Sequence, residues 1–343
     1  MNISKTEFGK VNGETVYLFT LENDKGIKTS ITNFGGIMTS LFVPDKNGKS
    51  EDIVLGFDNL GDYLKDHPYF GALIGRFGNR IAKGSFKIDN HEYKLAINNG
   101  PNHLHGGIKG FDKVVWKAEE IKEAGKVSLK LSYVSKDMEE GYPGTLSVEV
   151  IYYLNNSNEL GIEYFASTDK KTVINLTQHN YYNLNACKSD VKSHVLKMNC
   201  SKYTPVDDGS IPTGELANVA GTPFDFTKAK TLGKDLDASG GYDHNFVLDN
   251  YDGSLKQIAV MEEPASGRVL ELFTTQPGTQ LYTANYLDGS LTGKNGIKYQ
   301  KHYAFCLETQ HFPDSPNKPN FPSVILEPGK KYHELTVHKF LTK

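Results

Sequence analysis

The chain has 343 residues and a formal net charge of −3, with 38% hydrophobic and 23% charged residues. This composition is typical of a globular protein, and the length suits two average domains or one large all-β unit. The weak negative charge gives no support for nucleic-acid binding, which needs a concentrated basic surface. No window of the sequence approaches the ~18 apolar residues of a membrane span.

Strand patterns dominate the chain from its beginning. The segments ETVYLFTLEN (14–23) and IKTSITNFGG (27–36) predict a hairpin that turns around residues 23–26. Further along, KVSLKLSYV (126–134), TLSVEVIYYL (145–154) and ELGIEYFAS (159–167) each alternate apolar and polar residues and are joined by short polar segments. Such consecutive period-two segments predict an antiparallel meander.

Helical patterns are few and short. NLGDYLKD (59–66) predicts one or two helical turns, and LANVAG (216–221) and FTKAKTLGKDLD (226–237) predict short surface helices. No repeat of fixed period and no linker rich in Pro, Gly or Ser divides the chain. We therefore expect a single domain over residues 1–343, folded as a large antiparallel β-sandwich with few short helices.

The compartment follows from the N-terminus and the cysteines. The opening segment MNISKTEFGKVNGE lacks the apolar core of a secretory signal. Cys187, Cys200 and Cys306 are odd in number and contain no C-x-x-C pair, which favours reduced thiols. These observations predict a cytoplasmic protein.

Two arginines flank a Gly-Asn pair in the segment GRFGNRIAKGSF (75–86), the first of four polar clusters. Either Arg76 or Arg80 could be a solvated side chain on a surface turn. Either could instead be a fixed guanidinium that donates to ligand oxygens, since the planar fork of arginine suits directional recognition. The segment alone does not decide between these interpretations.

The second cluster, NGPNHLHGGIKGFDK (99–113), contains an H-x-H pair, His103 and His105. On a strand both rings would face the same way, which is a metal-ligand spacing. A metal site usually adds a carboxylate, and the next acidic residue is Asp112, so the metal interpretation is disfavoured. The Gly-Gly pair after His105 predicts a tight turn that presents a side chain to a cleft.

The third cluster, NLTQHNYYNL (175–184), is unusually polar for an aromatic segment. If it is a strand, one face carries Asn175, Thr177, His179, Tyr181 and Asn183. A buried polar face is costly unless water, a neighbouring loop or a polyhydroxy ligand fills its donors and acceptors. A lone strand histidine is usually a hydrogen-bonded structural residue, but a face that is polar throughout weakens that interpretation.

The fourth cluster is YAFCLETQHFPDSP (303–316), where Glu308 interrupts an apolar strand just before a proline-containing loop. A carboxylic acid among buried neighbours is a candidate for a raised pKa and for proton transfer. A salt bridge to an arginine is the equally open alternative.

Six motifs together resemble the aldose 1-epimerase (galactose mutarotase) family. They run in the order of that family from residue 75 to 315: GRFGNRIAKG, NHLHGG..GFDK..W, NLTQHNYYNL, GYDHNF, TTQPGTQLYTANYL and CLETQHFPDS. The departures are mild: Gly78, Gln178 and Asn180 differ from the residues common in the family. The resemblance implies a β-sandwich with the sugar in an open cleft on one sheet.

By this resemblance, His179 is the general acid and Glu308 the general base of a reaction that interconverts the α and β anomers of hexoses such as galactose and glucose. No metal and no organic cofactor is implied. The sugar hydroxyls would satisfy the amides of the third cluster. The implied sugar-binding residues are Asn79, Arg80, His105, Tyr181, Asp243 and Gln276.

Three other functions stay open from the sequence. A glycoside hydrolase needs two carboxylates at one bond, and Asp243 with Glu308 would leave His179 without a role. A non-catalytic sugar-binding protein needs no placed acid and base. A hexose-6-phosphate 1-epimerase needs a basic phosphate pocket, which the sequence does not locate. We expect a small aldose as the ligand, no nucleic-acid or membrane partner, and a monomer or weak homodimer.

Overall fold

The computed structural model describes residues 1–343, and its regular secondary structure is almost entirely β-strand. Numbered along the chain, the first fourteen strands are β1 Asn2–Val11, β2 Glu14–Glu22, β3 Lys28–Thr32, β4 Met38–Pro44, β5 Ser50–Asp52, β6 Leu73–Ile74, β7 Arg80–Ile81, β8 Ser85–Ile88, β9 His91–Lys94, β10 His103–Leu104, β11 Lys117–Glu123, β12 Lys126–Ser135, β13 Leu146–Asn155 and β14 Glu159–Thr168. The others are β15 Thr172–Val173, β16 Thr177–Gln178, β17 Val195–Met198, β18 Lys202–Tyr203, β19 Ala217–Asn218, β20 Lys230–Thr231, β21 Asp243–Val247, β22 Lys256–Glu263, β23 Arg268–Thr274, β24 Gly278–Tyr282, β25 Cys306–Gln310, β26 Ile325–Leu326 and β27 Tyr332–Thr342.

The largest sheet has nine strands in the order β11-β12-β13-β14-β27-β23-β22-β17-β20. The predicted meander is confirmed, because β12, β13 and β14 are consecutive antiparallel neighbours in this sheet. The apolar positions of the alternating pattern face the core, since Leu129 and Leu131 of β12 are fully buried. The C-terminal strand β27 joins the meander to the second half of the sheet.

Two five-stranded sheets complete the framework. One has the order β1-β2-β3-β4-β5 and contains the predicted hairpin, with β2 and β3 paired antiparallel. The other has the order β19-β18-β21-β24-β25. Phe19, Leu131 and Leu281, one from each of the three sheets, belong to the same buried apolar cluster. The sheets therefore share one core, as the predicted β-sandwich requires.

Helical structure is limited to single turns. The predicted turn in NLGDYLKD is α1 Leu60–Tyr63, whose first turn is capped by the side chain of Asn59. The two predicted surface helices are wrong: LANVAG contains β19, and FTKAKTLGKDLD contains β20 and a 3₁₀ turn. Short helices are marginal without tertiary packing, and in both segments pairing with neighbouring strands prevails. The 3₁₀ turns are Ala82–Gly84, Phe111–Lys113, Glu139–Gly141, Leu232–Lys234, Lys294–Gly296 and Ser315–Asn317.

Other expectations have mixed outcomes. The single α-helix has four residues, so no helix in this fold is long enough to cross a bilayer. The three cysteines are free and buried, in agreement with the prediction of reduced thiols. The extent of the domain stays a prediction.

Candidate active site

His179 and Glu308 are brought together by two neighbouring segments. Glu308 lies in the middle of β25, and Tyr182 forms a bridge with Phe305 just before that strand. The segment around His179 is also hydrogen-bonded to the turn at residues 71–72, just before β6. The amide of His179 donates to the carbonyl of Ala72 at 2.9 Å, and its carbonyl accepts from Gly71 at 3.0 Å.

The two side chains face each other across a short gap. His179 Nε2 lies 3.7 Å from Glu308 Oε2, beyond hydrogen-bond distance, and both residues are buried. Neither Glu308 Oε2 nor His179 Nδ1 has a hydrogen-bond partner in the protein. Buried polar atoms are normally paired, so unpaired atoms on two adjacent titratable groups mark a functional site rather than a structural ion pair.

The surroundings favour the uncharged form of each group. Burial lowers the pKa of His179 to about 3. Burial, and after it the negative charge of Asp243, raises the pKa of Glu308 well above its usual range, while the charge of Arg80 opposes this rise. Burial therefore shifts both groups toward their uncharged forms, Glu308 toward the carboxylic acid and His179 toward the neutral imidazole.

His105 completes the cluster from the predicted tight turn, which the structure confirms. Its backbone is left-handed, with φ of 50°, and a side chain at the following Gly106 would collide with Gly75. The Nδ1 atom of His105 accepts from the backbone amide of Asn79 at 3.1 Å. Burial lowers the pKa of His105 well below its usual value. The neutral ring therefore carries its proton on Nε2 and is a hydrogen-bond donor.

A metal ion fits this cluster poorly. His105, His179 and Glu308 do offer ligand atoms that lie within 4.8 Å of one another. A histidine binds a metal through an unprotonated nitrogen, however, and the backbone amide of Asn79 leaves the proton of His105 on the nitrogen a metal would need. The predicted H-x-H spacing gives no pair either, because both ring nitrogens of His103 are bonded within the protein.

The two arginines of the first cluster have different roles. Arg76 is buried and donates to the carbonyl oxygens of Pro143, Gly144 and Lys136, so it is a structural residue. Arg80 is half-buried and donates from Nε to the side chain of Asn99 at 3.1 Å. Its charge opposes the rise in the pKa of Glu308, so the guanidinium acts electrostatically on the pair.

Asp243 is also beside the pair, at the first position of β21. Its Oδ1 atom accepts from Gln280 Nε2 at 2.7 Å. Gln280 lies in β24 directly opposite Glu308 in β25. It therefore bonds to Asp243 on one neighbouring strand and pairs with Glu308 on the other. Gln280 was missing from the predicted site. The signal was a polar residue within the strand-like segment TQLY of TTQPGTQLYTANYL, but the family resemblance indicated Gln276 instead.

Gln276 requires a correction, because the structure does not bring it to the cluster. It is fully buried, its Nε2 donates to the carbonyl of Leu176 at 3.0 Å, and its Oε1 is bonded to Nδ1 of His311 at 2.8 Å. Its amide is therefore bonded away from Asp243 and Glu308, and the glutamine that contacts Asp243 and lies opposite Glu308 is Gln280.

Aromatic rings surround His179. The ring of Tyr181 is nearly parallel to the imidazole, with centroids 5.0 Å apart, and Tyr69 is nearly parallel at 6.0 Å. His105 and Tyr282 present edges at 5.2 and 6.4 Å. The sequence predicted Tyr181 but not Tyr69, whose segment HPYFG shows no pattern that points to a site.

The side-chain amides of NLTQHNYYNL are hydrogen-bonded within the protein, whereas the resemblance implied that sugar hydroxyls would satisfy them. Each of the four donates to a protein oxygen: Asn175 to Gly78 and His311, Gln178 to Gly71 and Asn180, Asn180 to Tyr182, and Asn183 to Ser189 and Tyr303. Only Thr177–Gln178 of this segment is a regular strand. The side-chain amides replace the missing strand ladder and hold His179 in place.

The aldose 1-epimerase family model matches residues 17–339. The chain belongs to this family. It is 47% identical to the galactose mutarotases of Bos taurus and Homo sapiens over 99% of its length, and these matches cover 99% and 98% of the two relatives. It is 34% identical to the aldose 1-epimerase of Escherichia coli, over 97% of each chain.

Solved structures agree with this membership. The aldose epimerase homologue from C. elegans superposes with a TM-score of 0.87 at 33% identity, covering 94% of this chain and 98% of that one. The galactose 1-epimerase from Lactobacillus acidophilus superposes with a TM-score of 0.88 at 27% identity, over 99% of each chain. The protein is thus an aldose 1-epimerase, an isomerase, with the fold expected of its family.

Proposed function

We propose that the protein interconverts the α and β anomers of hexoses such as galactose and glucose in the cytoplasm, as a step of carbohydrate metabolism. The observation that carries this proposal is the buried pair of His179 and Glu308, 3.7 Å apart, with one unpaired atom on each. The names of the mammalian relatives support galactose as a substrate.

The chemistry requires an acid and a base side by side. A cyclic aldose is a hemiacetal whose hydroxyl oxygen and ring oxygen are both attached to C1. Glu308 as a carboxylate takes the proton of the C1 hydroxyl, and His179 gives a proton to the ring oxygen while the bond between C1 and that oxygen breaks. After rotation about C1–C2, the two groups act in reverse and close the ring on its other face. General acid–base catalysis of this kind contributes roughly 10²–10⁴-fold in rate.

This mechanism needs Glu308 as a carboxylate and His179 protonated when the sugar is bound, the opposite of the forms that burial favours. Hydroxyl groups that donate to the Glu308 carboxylate stabilise its charged form, and the guanidinium of Arg80 acts in the same direction. His105, as a neutral donor held by Asn79, is suited to an oxygen of the sugar. We assign substrate contacts to Asn79, Arg80, His105, Tyr181, Asp243 and Gln280.

Optical rotation tests the proposal directly. Freshly dissolved α-D-galactose and α-D-glucose should approach their equilibrium rotation faster with the protein than without it, and the final rotation should be unchanged. The same protein after heat denaturation is the control. Binding of either sugar without any acceleration would instead indicate a non-catalytic sugar-binding protein.

A further inference from the structure

The imidazole of His179 is oriented without a hydrogen bond to any other residue. Its Nδ1 atom has no partner in the protein, and its Nε2 atom is too far from Glu308 for a bond. Catalytic histidines are commonly oriented by a carboxylate or a carbonyl bonded to the second ring nitrogen. In this protein, some other contact has to fix the ring plane.

Aromatic packing is the contact that remains. The rings of Tyr181 and Tyr69 lie within 12° and 18° of parallel to the imidazole. Tyr69 also packs its ring against His105, with centroids 4.7 Å apart and planes at 64°. Tyr69 therefore packs against both His105 and His179. Of these two histidines, Tyr181 packs only against His179.

The backbone holds Tyr69 in this position at a conformational cost. Its φ is 58°, a left-handed conformation that is rare for a bulky residue and that recurs at functional sites. The turn around it is bonded to His179 itself: Gly71 donates to the His179 carbonyl, and the His179 amide donates to Ala72. Gln178 adds a further bond to the carbonyl of Gly71 at 2.8 Å. Ring and imidazole therefore belong to one rigid unit.

We propose that Tyr69 is a positioning residue, whose ring holds the imidazole of His179 in line with Glu308 while leaving both imidazole nitrogens free. This inference rests on the proposed function, in which His179 exchanges protons with the sugar. The part that matters is the ring and not the hydroxyl, since Tyr69 Oη makes no hydrogen bond within the protein. The ammonium of Lys113, 5.6 Å from the ring centroid, packs against Tyr69 as well.

Two substitutions separate the ring from the backbone. Tyr69→Phe keeps the ring, and Tyr69→Asn removes it while tolerating the left-handed conformation, which asparagine adopts readily. The control is Tyr17→Asn, since Tyr17 is also half-buried and has the ammonium of Lys5 above its ring, but lies in β2. Polarimetry gives kcat and KM for each variant, and thermal unfolding gives Tm.

We expect Tyr69→Asn to lower kcat by roughly 10- to 100-fold, because small misplacements of a reacting group are costly, and to leave KM within about threefold. Tyr69→Phe should keep kcat close to that of the parent protein. An increase in KM at unchanged kcat would overturn the proposal, because Tyr69 would then be a sugar contact. The proposal would also be overturned if Tyr17→Asn lowered kcat as much as Tyr69→Asn does at an equal loss of Tm. The same holds if Tyr69→Phe lowered kcat as much as Tyr69→Asn does.

Nuclear magnetic resonance of ring-labelled histidines provides a test that does not depend on activity. The pKa of His179 is lowered to about 3 by burial. Removal of the Tyr69 ring admits water, so the pKa of His179 should rise toward its ordinary value in Tyr69→Asn and stay low in Tyr69→Phe. An unchanged pKa in Tyr69→Asn would contradict the proposed packing role. If the parent protein fails to accelerate mutarotation, the proposed function is wrong, and this titration still reports on Tyr69.

Discussion

Replacing Glu308 by glutamine should remove activity and increase stability at the same time. Glutamine has nearly the same shape as glutamate but cannot exchange a proton, so we expect kcat to fall by roughly 10²–10⁴-fold, the usual contribution of one proton-transfer group. The stability gain follows from burial: the side chain is 2% exposed, and its Oε2 atom lacks a hydrogen-bond donor.

The sign of the stability effect depends on pH. Burial raises the pKa of Glu308, so the folded protein holds this proton more tightly than the unfolded chain does. The contribution of Glu308 to stability is therefore complete below the unfolded pKa of about 4.3 and declines as pH rises toward the folded pKa. Glutamine does not titrate. The free energy of unfolding of the variant should exceed that of the parent by about 1.4 kcal/mol more for each pH unit in this window.

Urea unfolding at pH 4, 6 and 8 measures this difference, with polarimetry on the same samples. The control is Glu92→Gln, at an exposed position of β9, which should shift stability little at any of the three pH values. We expect the smallest difference between parent and Glu308→Gln at pH 4 and an advantage of the variant at higher pH. A variant that is less stable than the parent at pH 8 would refute the argument, because Glu308 would then be charged and well solvated or paired in the folded protein.

Three further predictions concern other parts of the site. His179→Asn should lower kcat about as strongly as Glu308→Gln does while Tm stays close to that of the parent; near-normal polarimetric activity would remove His179 from the mechanism. Asp243→Ala should raise KM for galactose and glucose by about 10–150-fold, because a hydrogen bond to a charged acceptor contributes roughly 1.5–3 kcal/mol, with a smaller loss of kcat. A lower Tm with unchanged KM would make Asp243 a structural residue instead. Exhaustive treatment with a chelator should leave full activity, because the amide of Asn79 keeps a proton on the His105 nitrogen that faces the cluster; activity that is lost and then restored by one metal would contradict this.

The sequence predicts the strands well because the alternation in each is local. The segments of β12, β13 and β14 each carry an alternating pattern, and each strand pairs with the next along the chain. The short surface helices fail for the opposite reason. In FTKAKTLGKDLD the helical pattern is weak, and the pairing of β20 with β17, which are distant in sequence, decides the structure.

The site shows the same limit at the level of single residues. Glu308 and His179 were singled out as titratable groups in strand-like segments, and the family resemblance supplied their predicted roles. The choice between Gln276 and Gln280 could not be made, since it depends on which glutamine lies opposite Glu308 in the paired strands β24 and β25. Tyr69 was equally inaccessible, because its position depends on a left-handed turn that bonds to a segment about 110 residues later in the chain.

The protonation forms that burial favours match the middle of the proposed reaction rather than its ends. Burial shifts Glu308 toward its protonated form and His179 toward its neutral form. In the proposed mechanism, Glu308 has taken the proton of the C1 hydroxyl after ring opening and His179 has given its own to the ring oxygen, which leaves the pair in these same forms. The low-dielectric pocket would therefore favour the forms that the two groups have with the open-chain sugar. The cyclic anomers require the opposite forms, and the charge of Arg80, which opposes the rise in the pKa of Glu308, lowers the cost of reaching them. Because both anomers face this same cost, the pair favours neither face of the ring and serves both directions of the reaction.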